Sequence, residues 1–134
     1  MKETVDQGQV LMSGSRDGTV RFWQQQQPDQ QQQQQQQQQW FCSGVFTGHV
    51  GQVSCLTRLK NLQAFAPNLA LSFTHGLVVS GGVDKIINLY EPILAGFDES
   101  TVVSEAVFSL AGHTDTVCSL SVDEEIIVSG SWDK

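Results

Sequence analysis

The chain has 134 residues and a formal net charge of −7, with a sequence pI near 4.6. That length suits one small domain. The acidic balance excludes a nucleic-acid partner, because a phosphate backbone would be repelled and the few cations form no stripe. No apolar run approaches the ~20 residues that a membrane helix needs, so no membrane partner is predicted.

Short strands are predicted along the chain from β-branched, alternating runs bounded by turn residues, and no helix is needed. In chain order they are Val10–Met12, Thr19–Trp23, Trp40–Phe46, Val53–Leu59, Leu77–Ser80, Ile86–Tyr90, Ala106–Leu110, Val117–Val122 and Ile126–Ser129. Residues 61–74 have an irregular pattern and contain Pro67, which favours a loop between two strands.

The segment Gln24–Gln39 is nearly pure glutamine and is interrupted only by Pro28 and Asp29. A polar tract cannot bury enough apolar area to offset the entropy cost of ordering. The sequence therefore predicts a disordered polyglutamine loop at the surface. Self-association through the tract is the less favoured alternative.

Two motifs alternate along the chain. The pattern Ser-Gly-small-x-Asp stands at 13–17, 80–84 and 129–133, and its first two copies lead into strands that end at Trp23 and Tyr90. The pair Gly-His stands at 48–49 and 112–113, each time ahead of an apolar strand. Short strands at even spacing, with an Asp turn in each unit, are typical of the four-stranded blades of a propeller.

The interleaved motifs resemble the WD40 family, although Trp23 and Tyr90 lack the Asp that follows the aromatic residue in its signature. The resemblance implies an all-β, partial WD40 β-propeller of about three incomplete four-stranded antiparallel blades. We expect a partial blade at 1–46 that includes the polyglutamine insertion, a blade at 47–110 and a truncated blade at 111–134. Propellers carry about 4 to 8 blades, so the chain is expected to be a fragment or a truncated gene model.

The resemblance also implies that each blade is held by a structural tetrad of His, Ser, Asp and an aromatic residue, joined by hydrogen bonds. Ser, His and Asp together can form a nucleophile and its base. A set that recurs in every blade is typical of a structural device, so no catalytic site is predicted and the chain is not expected to be an enzyme. The matching residues are His49, Ser80, Asp84 and Tyr90 in the second blade, His113, Ser129 and Asp133 in the third, and Ser13, Asp17 and Trp23 in the first.

The three cysteines, Cys42, Cys55 and Cys118, are widely spaced and include no CxxC pair. This pattern argues against a disulfide framework and against a zinc site, and neither a metal nor another cofactor is predicted. Free cysteines in apolar runs fit a reducing compartment, so the predicted location is the cytoplasm and the nucleus.

A narrower resemblance rests on the stretch Leu110–Ser121 and on Val128–Asp133 after it. Both are similar to the N-terminal blades of the phospholipase A-2-activating protein family. The resemblance implies that the complete propeller binds ubiquitin or ubiquitinated proteins, in ubiquitin-dependent degradation and ubiquitin recycling. It implies binding of the valosin-containing AAA ATPase only through domains that this chain lacks.

The partner-binding residues are not identified by these patterns. An acidic rim of Asp98, Glu99, Glu105 and Asp115 would complement the basic groups around the apolar patch of ubiquitin, although ordinary solvated loop charge is the plainer interpretation. The alternative function is that of a generic WD40 scaffold for another protein complex.

Overall fold

The computed structural model describes residues 10–25, 39–59, 77–91, 102–123 and 126–134. All regular structure in these ranges is β-strand, as the alternating apolar runs predict. The strands are β1 (Val10–Gly14), β2 (Val20–Gln25), β3 (Trp40–Thr47), β4 (Val53–Leu59), β5 (Leu77–Gly82), β6 (Ile86–Tyr90), β7 (Val102–Glu105), β8 (Phe108–Ala111), β9 (Val117–Val122) and β10 (Ile127–Ser131).

The strands form three separate sheets. The first sheet has the order β1-β2-β3-β7, the second has the order β4-β5-β6-β8, and the third is the hairpin of β9 and β10. All pairs are antiparallel except that of β3 with β7, which is parallel. Short turns join β1 to β2 and β5 to β6, and strands with such short connections are expected to pair in antiparallel fashion.

The second sheet lies between the other two, and neighbouring residues of β5 show this directly. Val78 packs toward the first sheet in one apolar cluster, while Val79 packs toward the third sheet in another. Successive side chains of a strand point to opposite faces, so a strand with both faces covered is apolar at consecutive positions. Every residue of β5 is accordingly buried.

Aromatic packing fills the contact between the first and second sheets. The rings of Phe46 and Tyr90 stack with centroids 5.0 Å apart, and Phe22 meets Phe46 at a tilted angle. All three side chains are fully buried. Aromatic pairs of this kind contribute stability beyond the area that they bury.

One contact repeats between successive sheets. A Cβ at Gly14 of β1 would lie 2.6 Å from Cγ1 of Val53 in the second sheet, and a Cβ at Gly81 of β5 would lie 2.6 Å from Cγ1 of Val117 in the third. Gly14 and Gly81 occupy the same position of the repeated motif, and so do the two valines. The step from the first sheet to the second is therefore repeated from the second to the third, which is the radial repetition of a propeller fragment.

Two details differ from the sequence-based expectations. The first two residues of the glutamine tract belong to β2, where Gln24 pairs with Phe41 and Gln25 with Trp40, because the backbone ladder continues whatever the side chain. β7 was not predicted at all. Residues 26–38 of the proposed glutamine loop and residues 61–74 lie outside the described part of the chain.

Candidate functional site

The three Ser-Gly-small-x-Asp motifs form tight turns that are closed by their aspartates. Thr19 donates its backbone N–H (2.9 Å) and its hydroxyl (2.7 Å) to Asp17 Oδ1. These hydrogen bonds, the side-chain bond first, lower the pKa of Asp17. In the second turn the backbone N–H of Ile86 donates to Asp84 at 3.2 Å. Asp is favoured in such turns because its carboxylate accepts backbone donors nearby.

The structure brings His49, Ser80 and Asp84 together. Nδ1 of His49 lies 3.0 Å from both carboxylate oxygens of Asp84, and its Nε2 lies 2.7 Å from Ser80 Oγ. An ionised carboxylate only accepts, so Nδ1 carries a proton and donates to Asp84, while Nε2 and the Ser80 hydroxyl share the second hydrogen bond. The side chain of His49 is fully buried, and Val50 donates its backbone N–H to Asp84 at 2.9 Å.

The structure also brings His113, Ser129 and Asp133 together with the same connections. Nδ1 of His113 lies 2.7 Å from Asp133 Oδ2, Nε2 lies 2.8 Å from Ser129 Oγ, and Thr114 donates its backbone N–H to Asp133 at 2.9 Å. These bonds, that of Thr114 first and that of His113 second, lower the pKa of Asp133. This cluster is partly open to solvent, since the His113 side chain is 26% exposed.

The aromatic residue of the predicted tetrad differs in its hydrogen bonding between the first and second sheets. Trp23 donates its indole N–H to Ser13 Oγ at 2.9 Å. The hydroxyl of Tyr90 is buried without a partner at hydrogen-bond geometry, although Ser80 and Asn88 lie near enough to affect its titration. Burial raises the pKa of Tyr90, and those two neighbours partly offset the rise.

Ser80, His49 and Asp84 are connected as in the catalytic triad of a hydrolase, but Ser80 is not placed where a nucleophile could reach a substrate. Ser80 is fully buried, and the hydroxyl of a nucleophile must reach the carbonyl of its substrate. The same connections recur in the third sheet. Across the described residues no group of three or more His, Cys, Asp and Glu side chains is arranged to hold a metal ion. Nor do those residues include a helix long and apolar enough to cross a membrane.

The exposed surface beside these clusters is the candidate site. The residue before each motif Asp is exposed in all three turns, as Arg16, Val83 and Trp132. Val83 donates its backbone N–H to Gln52 O at 3.0 Å, and Trp132 donates to Thr116 O at 3.2 Å. Gln52 and Thr116 each immediately precede the first strand of their sheet. Equivalent anchoring places the turns at the same end of successive sheets.

We call this surface the turn face, and it comprises Arg16, Val50, Val83, Asp115 and Trp132. Trp132 is 70% exposed, Val50 is 82% exposed and Val83 is 41% exposed. A Cβ at Gly51 would lie 2.7 Å from Cγ2 of Val83, so the loop that carries Val50 touches the turn that carries Val83. Asp115 lies beside the third turn, because its carbonyl accepts the Ser131 hydroxyl at 3.0 Å.

Motif reasoning did not identify Val50 and Val83. One signal was available, because the x position of Ser-Gly-small-x-Asp holds Arg, Val and Trp while its neighbours stay nearly constant. A position that varies within a fixed turn points to solvent. Of the proposed acidic rim, Glu105 and Asp115 are exposed, and Asp98 and Glu99 lie outside the described residues.

Comparisons with known proteins agree with this geometry. The profile of the WD domain, G-beta repeat, matches residues 5–24, 40–91 and 104–134. Protein DOA1 of Saccharomyces cerevisiae is 32% identical over 130 residues, which are 97% of this chain and 14% of that protein. Doa1 is the yeast ortholog in the phospholipase A-2-activating protein family, so the narrower resemblance is supported.

Solved structures show the same relationship. The crystal structure of the WD40 beta propeller domain of Doa1 aligns at a TM-score of 0.56 and 30% identity, covering 93% of this chain and 34% of that one. A chain of apo ctPRC2 in an autoinhibited state aligns at a TM-score of 0.57, covering 91% of this chain and 23% of that one. Its 22% identity shows the fold alone.

Proposed function

Because the chain belongs to the WD40 repeat family, we propose that it is part of a protein-interaction propeller that binds ubiquitin or ubiquitinated proteins through the turn face. Its likeness to Doa1 supports a role in ubiquitin-dependent degradation and ubiquitin recycling. The chain spans 14% of that relative, so binding of an AAA ATPase is proposed for the protein only through other domains. The cytoplasm and the nucleus are the proposed locations.

The observation that carries the proposal is the exposed apolar group on rigid turns. Val50 and Trp132 stand on loops whose backbones are fixed by Asp84 and by Thr116. Exposed aromatic side chains on a preformed scaffold supply much of the binding energy of protein interfaces, since little conformational entropy is lost when they are covered. A propeller that serves as a scaffold needs such a surface, and a buried histidine network alone does not provide one.

Charge supports ubiquitin as the partner. The chain has a net charge of −7, and Asp115 is exposed beside Trp132. The surface that ubiquitin offers to its receptors is an apolar patch rimmed by basic groups. An apolar centre with a carboxylate at its edge complements such a patch, and the charge of the whole chain favours encounter.

A binding titration tests this proposal. Isotope-labelled ubiquitin is titrated with the purified protein, and resonance shifts are followed for the wild type, Trp132→Ala and Val50→Ala. Both variants are expected to weaken binding at least about fivefold, in the range found for well-buried interface residues. Val103→Ala is the matched control for Val50→Ala, because Val103 is a 68% exposed valine on β7, away from the turns.

Unchanged affinity in both turn-face variants would remove the turn face as the site. No binding of the wild type at high-micromolar ubiquitin would contradict ubiquitin as the partner.

A WD40 scaffold with another protein partner is the second candidate, and Arg16 is the observation in its favour. Its exposed guanidinium is on the turn face, where it would face the basic rim of ubiquitin but would suit an acidic partner. Arg16→Glu separates the two. It is expected to strengthen ubiquitin binding and to weaken binding of an acidic partner.

A further inference from the structure

One short segment belongs to two sheets. Residues 102–105 form β7, which pairs in parallel with β3 of the first sheet, from Gly44 with Val102 to Thr47 with Glu105. Two residues later the same segment becomes β8, which pairs with β6 of the second sheet, from Leu89 with Phe108 to Ile86 with Ala111. The backbone thus leaves one ladder and enters the next at Ala106 and Val107.

Close contacts fix this crossing point on both sides. Val107 donates its backbone N–H to Leu89 O at 2.8 Å, on the second sheet. On the first sheet the Thr47 hydroxyl donates to Ser104 O at 3.5 Å. Ala106 lies against Gly48, where an added Cβ would be 4.0 Å from its own Cβ.

Backbone hydrogen bonds attach the centre of β7 to the first sheet. Val103 is the large apolar side chain of its centre, and it is 68% exposed. An exposed valine adds little to the free energy of folding, so at the centre of β7 the parallel ladder with β3 supplies the attachment. Substitutions that remove backbone donors should therefore detach β7 while leaving the apolar clusters in place.

The third sheet has no such connection. In the described ranges β9 and β10 pair only with each other, and no strand is shared with the neighbouring sheet. The sheet meets its neighbour through side-chain packing, with Val117, Leu120 and Ile127 against the apolar cluster around Val79. Side-chain packing can separate without breaking a ladder, whereas a shared strand must break one. The second sheet is therefore joined to its two neighbours by different kinds of attachment.

We propose that residues 102–111 form a clasp that makes the first and second sheets open as one cooperative unit, while the third sheet opens separately. Cooperative units in native proteins coincide with elements that share backbone pairing, and loosely packed elements open first. The clasp holds the turn that carries Arg16 and the turn that carries Val83 at a fixed distance and orientation. It requires no assumption about what the turn face binds.

Native-state hydrogen exchange of the full chain at low urea tests the clasp. Amides of β2 and β6 are compared, because neither strand pairs with β7. In the wild type both are expected to exchange at the same rate, once each rate is corrected for the intrinsic rate of its amide, and with the same urea dependence. The double variant V103P/S104P removes both N–H groups at the centre of β7, and one of these two faces β3, because successive N–H groups point to opposite edges of a strand. In this variant β2 is expected to exchange at least about tenfold faster than β6.

Val128→Pro in β10 is the control, and it should accelerate exchange in the third sheet alone. Equal rates of β2 and β6 in V103P/S104P would overturn the clasp, as would different rates in the wild type. The same conclusion would follow if Val128→Pro accelerated all three sheets alike.

A second variant covers the case in which V103P/S104P does not fold. Val45 and Val103 are register partners on β3 and β7, so cysteines at both positions lie at the spacing of neighbouring strands. With the exposed Cys118 changed to serine, oxidation of V45C/V103C is expected to link the strands in the folded chain. The link should leave β2 and β6 opening together. Failure of the link to form in folded protein would show that β7 does not pair with β3.

Discussion

The second and third sheets carry the same three polar residues with the same connections, yet in different surroundings. His49 is wholly buried between its serine and its aspartate, whereas the side chain of His113 is 26% exposed. The difference arises from what covers each sheet. β5 and β6 lie between two neighbouring sheets, whereas in β9 and β10 of the third sheet Val117 is the one fully buried residue. Identical motifs therefore report a shared local geometry but not a shared contribution to stability.

Burial decides that contribution because a polar group that loses its partner in the interior cannot turn to water. Removing one member of a buried hydrogen-bonded set leaves the others desolvated and unpaired. At a partly exposed cluster, solvent replaces the missing partner. The two histidine clusters thus form a comparison within one molecule, and substitutions can alter either cluster separately.

The largest difference is expected between His49→Ala and His113→Ala. Loss of His49 removes the imidazole partner of the buried Ser80 hydroxyl and the side-chain donor to the largely buried Asp84 carboxylate, and it opens a cavity, so we expect about 3 kcal/mol of lost stability. Loss of His113 should cost about 1 kcal/mol, because Ser129 and Asp133 can be solvated. Urea unfolding followed by circular dichroism measures both. Equal losses would show that burial does not separate the two clusters.

The sequence predicted the strands well because their signals are local. Alternating apolar residues and Asp turns place β4, β6 and β9 within a residue of their observed bounds. It did not predict β7, since a strand that leaves one sheet for the next is decided by packing around Ala106 and not by its own residue pattern.

The candidate site divides in the same way. Motif order grouped His49 with Ser80 and Asp84, and the structure brings these side chains together. Which cluster is buried, and which turn side chains are exposed, depends on neighbouring sheets that no local pattern encodes. The unpartnered hydroxyl of Tyr90 depends on atomic distances, which motif matching does not resolve.

The glycines that precede the two histidines sharpen the comparison. Gly48 has a φ of 139°, and a Cβ there would lie 3.3 Å from Asn88 Nδ2 and 3.6 Å from the Tyr90 hydroxyl. At Gly112 a Cβ would meet nothing within 4 Å. We expect Gly48→Ala to lower stability by about 2 kcal/mol, from backbone strain and crowding. Gly112→Ala should stay within about 0.5 kcal/mol of the wild type.

Thermal unfolding of Gly48→Ala and Gly112→Ala measures the two losses of stability. A loss at Gly112 as large as that at Gly48 would mean that both loops are held equally tightly.

Tyr90 provides a test in which a substitution in the buried second sheet is expected to raise stability. Its hydroxyl is buried without a partner, so Tyr90→Phe removes an unsatisfied group and should raise stability by about 1 kcal/mol. Trp23→Phe is the control in the first sheet, where the indole donates to Ser13 at 2.9 Å. That change should lower stability by about 1 kcal/mol. Chemical denaturation compares them, and a loss in Tyr90→Phe would reveal a hydrogen bond to Ser80 or Asn88.

The smallest effect on stability is expected from lowering the pH, and it should appear at the partly exposed cluster of His113, Ser129 and Asp133. Hydrogen bonds from Thr114 and His113 lower the pKa of Asp133 in the folded chain. A lowered carboxyl pKa means that the folded state binds fewer protons than the unfolded state near that pKa. The resulting stability is present above the unfolded pKa, near about 4, and is lost as pH falls through the folded value.

Hydrogen exchange of β9 and β10 measures this loss between about pH 5 and pH 3, after correction for the intrinsic rate. We expect protection of the third sheet to fall across that range in the wild type and to stay nearly level in Asp133→Asn. Asp17→Asn is the control, since the pKa of Asp17 is also lowered but its turn lies in the first sheet. A third sheet that weakens equally in Asp133→Asn would show that the carboxylate of Asp133 does not stabilise the exposed cluster, and that packing against the second sheet alone holds it.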